Sequence, residues 1–141
     1  MNETIIRFLQ QQTCATICCV DEQGKPCCFI CFYAFYSEKG LLYFKSSADS
    51  HHSVLMKKYP FIAGTILPDK LNTMLVKGVQ FEGISLNEYH PLTEKSSGYY
   101  HKKHPMALVI PGEIWTIQIN RIKLTDSTMG FGKKITWDRD E

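Results

Sequence analysis

The stretch Ser46-Ser-Ala-Asp-Ser-His-His52 sets three hydroxyls and two imidazoles directly before an apolar-periodic run. A strand that runs into a helix start leaves backbone N–H groups pointing outward at the positive end of the helix dipole, an arrangement that suits a phosphate. Ser46, Ser47 and Ser50 add hydroxyl donors. The same residues equally make a plain first helical turn, with Ser50 as its cap and two exposed histidines.

The six cysteines lie between Cys14 and Cys31. Cys28 and Cys31 have the spacing of a zinc or redox pair, yet the surrounding residues read as strand. Side chains alternate faces along a strand, so a Cys-x-x-Cys pair points to opposite sides. Cys27 and Cys31 share a face but stand ~13 Å apart at the strand rise, too far for one metal with ligand bonds of ~2.3 Å. The doublets Cys18-Cys19 and Cys27-Cys28 are likewise divided between faces. Small, buried, reduced side chains are the expectation, and no metal site is expected.

His101 and His104 share a helical face by spacing, but no Glu or Cys completes a ligand set, so they and His90 read as solvated surface. The chain has no Gly-x-Ser-x-Gly elbow, no nucleotide-hydrolase phosphate loop and no His-Glu-x-x-His. Hydrolase chemistry has no support. A formal net charge of +2 with scattered basic residues excludes the basic stripe of a nucleic-acid binder. No apolar run approaches the ~20 residues of a membrane span, and the first ten residues do not form a secretion leader. A cytoplasmic protein is expected.

The elements that must position these groups follow from periodicity and turn residues. Residues 3–12 make an amphipathic helix with Asn2 as a possible cap. Strands are predicted over 13–20, 27–36 and 41–45, joined by turns at Asp21–Pro26 and Ser37–Gly40. The second is apolar throughout, so it is buried on both faces or gives one face to a partner. A short helix over 51–59 ends in Lys57-Lys58 and stops at Pro60. Strands follow over 61–67, 74–86 and 113–125, with a polar helix over 91–104. Gly78 and Gly83 permit bulges or close approach in the long fifth strand. The order is mainly β (α+β): a six-stranded antiparallel split β-barrel with short flanking helices, one domain over residues 1–141.

Local sequence narrows the family. Leu41-Leu-Tyr-Phe-Lys-Ser-Ser-Ala-Asp-Ser-His-His-Ser-Val-Leu55 and Lys77-Gly-Val-Gln-Phe-Glu-Gly83 resemble the signature of the pyridoxamine-phosphate-oxidase-like FMN-binding split barrels. Tyr100-His-Lys-Lys-His-Pro105 and the tail from Lys123 to Trp137 resemble the YhbP-type group within it. That resemblance implies a homodimer with FMN at its interface. It implies that His51 and His52 stand where the family has Arg and Lys, as cationic partners of the phosphate, with binding that weakens above neutral pH. It places Phe44 and Lys45 at the flavin edge and Gln80 facing the cofactor, from its own or the neighbouring subunit. Trp137 and Lys133 would fold over the flavin or its phosphate, the alternative being a surface-packed tail.

Two functions are carried forward. One is an FMN-dependent oxidoreductase acting on a small molecule, in which the flavin carries the redox chemistry. The other is a non-enzymatic flavin or haem binding or sensing protein on the same barrel. The tail lacks an Arg-x-His-like substrate motif, which weighs against the pyridoxamine-phosphate oxidase reaction.

Overall fold

The computed structural model describes residues 1–130 and 132–140; Phe131 in the tail lies outside them. Helix α1 (Glu3–Gln11) begins where the Asn2 side chain accepts from the Thr4 amide at 2.7 Å. Its apolar stripe, Ile5, Phe8 and Leu9, is buried and plugs the core. Three strands then form a meander: β1 (Cys14–Val20), β2 (Pro26–Tyr36) and β3 (Leu41–Ser46). Helix α2 (His51–Lys58) leads into β4 (Phe61–Ile66) and β5 (Lys77–Ser85); α3 (Ser96–Lys103) precedes the 14-residue β6 (Glu113–Asp126).

The strand order is β3-β2-β1-β4-β5-β6, and β3 also pairs with β6, which closes a six-stranded antiparallel barrel. Ile17, Phe35, Leu42, Phe44, Phe81 and Ile117 point inward and fill it. A second apolar cluster, Ala34, Leu41, Tyr43 and Tyr100, lies outside the barrel wall under α3. The register slips between Glu82 and Gly83. A Cβ at Gly83 would stand 2.4 Å from the Gln118 carbonyl oxygen, so the bulge and the close approach both depend on glycine.

Four expectations change. The tail adds a seventh strand, β7 (Lys134–Asp138), on the C-terminal half of β6; β3 takes only the first half of β6, and β7 fills the edge that remains. The fifth strand starts at Lys77 rather than at Met74, because the Asn72 side chain accepts from the Met74 amide and its carbonyl from Leu75, fixing a turn. The polar helix is split into a 3₁₀ turn (Pro91–Thr93) and α3, with Lys95 between them at φ −91°, ψ 2°. Of the two alternatives for the second strand, burial on both faces is set aside: Ile30 and Phe32 stand outward and exposed in the protomer, as a face offered to a partner would.

Candidate functional site

At the end of β3 the backbone turns through Ser46–Ser50 into α2. Ser46 shares the inward parity of Leu42 and Phe44, which carries its hydroxyl to the barrel mouth. There the Ser46 Oγ lies 2.7 Å from the His52 Nε2, and the Ser50 Oγ lies 3.1 Å from the same nitrogen. Ser50 is the N-terminal cap residue, but its hydroxyl does not cap the helix amides. It donates to the Ser53 Oγ at 2.6 Å, and Ser53 in turn donates to the Ser47 carbonyl at 2.7 Å. The loop is therefore held by its own hydroxyls, and the first-turn amides of α2 have no intrahelical acceptor.

His52 is stacked on Phe29 of β2, with ring centroids 3.7 Å apart, and Phe29 is tilted against Phe44. Burial, then the neighbouring His51, push the His52 pKa below its ordinary value of 6.5. At neutral pH His52 is an uncharged imidazole held by two serines. This depressed pKa runs against the cationic role expected of His52; the site offers hydroxyls and amides, with His52 half-buried and His51 exposed at the first turn.

The other expected residues do not gather around this cluster within one protomer. The Phe44 side chain is fully buried in the barrel, so only its backbone reaches the edge of the site. Lys45 faces away, outside the wall. Its Nζ donates to the Ala107 carbonyl at 2.7 Å and lies 3.0 Å from the His101 Nε2. The His101 Nδ1 sits 2.8 Å from the Ser97 carbonyl, so that nitrogen carries the hydrogen and Nε2 accepts from the lysine. Gln80 is exposed on the outer face of β5, opposite Thr65 and Lys123. Lys133 lies beside Asp126, at the far end of β6 from Glu113, the partner of Ser46. Trp137 packs beside Gly40 under the Arg139 guanidinium, 5.4 Å from the ring centre, at the opposite end of β3 from Ser46.

Of the three histidines read as solvated surface, His90 is exposed, but His101 and His104 are corrected. His101 is engaged with Lys45, and the His104 Nε2 donates to the Tyr33 carbonyl at 2.6 Å. Sequence reading missed Trp115 too. It stacks near Phe44, and its indole N–H donates to the Ser46 carbonyl, bracing the loop from β6. Its place on the inward face of an alternating strand was visible; its partner 69 residues away was not.

Two clefts flank the barrel. A cleft of about 730 Å³ runs between α3 and the start of β6, lined by Met56, Lys57, His101, Trp115 and Thr116. The buried Thr116 hydroxyl has no hydrogen-bond partner among the described residues. A second, of about 420 Å³, opens on the outer sheet face beside Thr16, Cys18, Cys28, Gln80 and Lys123. Among the described residues no three His, Cys, Asp or Glu side chains cluster to hold a metal ion, and no helix is long and apolar enough to cross a membrane.

Comparison with known proteins adds two findings. No protein-family model matches the chain. Among curated proteins, a UPF0306 protein of Photorhabdus laumondii is 31% identical over 137 residues, covering 97% of this chain and 95% of that protein. The UPF0306 protein YhbP of Shigella sonnei is 31% identical over 137 residues, covering 97% and 92%. Among solved structures, a haem-binding protein from Mycobacterium smegmatis superposes with a TM-score of 0.77 at 12% identity, over 94% of this chain and 55% of that one. The haem storage protein HutZ from Vibrio cholerae gives 0.61 at 12% identity, over 83% and 88%. An FAD-binding protein from Mesorhizobium loti gives 0.65 at 16% identity, over 86% and 92%. At these identities the structural likeness establishes the split-barrel fold alone. The near full-length match to curated relatives establishes more: the chain belongs to the YhbP-type UPF0306 family.

Proposed function

We propose that this protein binds FMN between two copies of itself and acts as a flavin-dependent oxidoreductase on a small molecule. The observation that carries the reading is the hydroxyl cluster of Ser46, Ser50 and His52 at the barrel mouth, adjoining first-turn amides that lack intrahelical acceptors. Such a donor set fits a phosphate: hydroxyls can rotate from one another to an anion, and charge-assisted bonds are the stronger ones. Ser46, Ser47, Ser50 and the α2 amides would hold the phosphate, with the exposed His51 beside them. When bound, the flavin supplies the hydride or electron chemistry.

A second copy accounts for what one protomer leaves undone. Gln80, Lys133 and Trp137 lie away from Ser46 within a protomer, so a shared site requires them from the neighbour. Met106, Leu108 and Val109, each more than two-thirds exposed, sit on the segment whose Ala107 carbonyl anchors Lys45. An apolar, exposed segment of this kind beside Lys45 suits burial by that second copy.

A second reading, haem held without catalysis on the same barrel, is favoured by two solved neighbours named for haem and by the uncharged His52, since neutral imidazole is the form that ligates metals. Reconstitution decides between them. Titrating the purified protein with FMN should quench flavin fluorescence saturably, and Ser46→Ala with Ser50→Ala should weaken the affinity about 10-fold or more. A Soret band on haem addition with no flavin binding would replace the first reading by the second. Binding of neither sinks both.

A further inference from the structure

The β1–β2 ladder sets Cys18 directly opposite Cys28, and Cys19 directly opposite Cys27. The two pairs are not equivalent. The Tyr33 amide donates to the Thr13 carbonyl, and the Asp21 amide to the Lys25 carbonyl. These bonds mark the odd-numbered residues of β1 as the hydrogen-bonded positions. Cys19–Cys27 is therefore a hydrogen-bonded pair, on the inner face, with Cys19 buried. Cys18–Cys28 is a non-hydrogen-bonded pair, on the outer face.

Non-hydrogen-bonded partners approach to a Cα separation of about 4.5 Å, against about 5.5 Å in the other type. A disulfide spans Cα separations of ~4.4–6.8 Å, with its Cβ atoms ~3.5–4.5 Å apart. By these values both pairs lie within bridging range; the closer approach of side chains at a non-hydrogen-bonded position and its outward, accessible face favour Cys18–Cys28. Cross-strand Cβ atoms sit at ~4.5–5.5 Å, at the wide edge of that range, so the bridge would be somewhat strained and easily reduced. Both thiols are free. Cys28 is exposed and Cys18 half-buried, and both line the outer cleft with Gln80, Glu82, Arg121 and Lys123.

We infer that Cys18 and Cys28 form a reversible dithiol–disulfide site on the outer barrel face, oxidised by low-molecular-weight disulfides. The Cys28 thiolate attacks one sulfur of the small disulfide, whose S–S bond breaks and releases one thiolate. Cys18 then loses its proton to solvent and attacks the Cys28 sulfur of the mixed disulfide, releasing the second thiolate. The protein dithiol gives up two electrons, and the small disulfide becomes two thiols. Lys123 and Arg121, the latter paired with Asp138, line the cleft beside Glu82 and can meet an anionic disulfide such as oxidised glutathione. Burial and the adjoining Cys28 raise the Cys18 pKa, consistent with Cys28 attacking first. Single-strand alternation hid this pair, because it separates Cys18 from Cys19 and Cys27 from Cys28 but is silent about partners across the ladder.

The test is to incubate the reduced full chain with oxidised glutathione, quench with N-ethylmaleimide and read the intact mass and thiol titre. Wild-type protein should lose two of its six thiols without retaining an adduct, and dithiothreitol should restore them. Cys18→Ser should accumulate one glutathione on Cys28, and Cys28→Ser should lose no thiol pair. Proteolytic mapping of the wild-type linkage gives the same answer should either variant fold poorly. A wild-type chain that keeps all its thiols, halts at an adduct or bridges through any other cysteine overturns the inference.

Discussion

The imidazole of His52 lies flat on the ring of Phe29, with centroids 3.7 Å apart and 10° between their planes. This contact ties the first turn of α2 to β2 and explains why the Ser46 loop, though built of small polar residues, has a fixed shape. It also takes His52 partly out of water, which lowers its pKa.

His52 therefore carries a pH signature. Its folded pKa lies below 6.5, so the folded state binds fewer protons than the unfolded chain between the two values. Its contribution to stability is complete above the unfolded value and declines as pH falls through 6.5 toward the depressed value. Chemical denaturation followed across that acid window should show the loss, and His52→Gln should flatten it. An NMR titration of His52 with its midpoint at or above the ordinary histidine value would refute the burial argument.

Flavin binding should separate the two histidines. His51→Ala should weaken FMN only modestly, since an exposed side chain at the first turn gives up one polar contact with the phosphate. His52→Ala should weaken it more, because it unbraces Ser46 and Ser50. Fluorescence titration reads both, and two equal losses would show that the residues do not differ in role.

The segment after α3 tests the paired arrangement. Leu108→Glu and Val109→Glu place charge on side chains already exposed in one protomer, so thermal melting should change little. Sedimentation should show a dimer for the wild type and a monomer for these variants, with flavin affinity lost together. A wild type that sediments as a monomer removes the shared site.

Tyr33 measures how the helical plug is fastened. Its hydroxyl is buried and donates to the Leu9 carbonyl at the end of α1. Tyr33→Phe leaves that carbonyl without its donor and should cost about 1–3 kcal/mol in denaturant unfolding. A neutral effect would mean that water replaces the phenol.

Arg139 fastens the tail. It donates to the carbonyls of Ile119 and Gly40 and covers Trp137. Arg139→Ala should speed hydrogen exchange at the β7 amides while leaving the barrel strands protected. Uniform deprotection would show that β7 is integral to the barrel.

The amino-acid order determined what is local. Alternation at 113–120, the Gly and Pro turns, Asn2 before α1 and Pro60 after α2 fixed most elements to within a few residues, because periodicity and turn chemistry act between near neighbours. The family signature and the serine-rich helix start were legible for the same reason. Tertiary structure decided which residues meet. That Lys45 turns from the cluster toward His101, that Trp115 braces Ser46, and that Cys18 faces Cys28 depend on register and barrel closure. Those are set by packing between segments tens of residues apart, and a one-residue slip exchanges every inward side chain for an outward one.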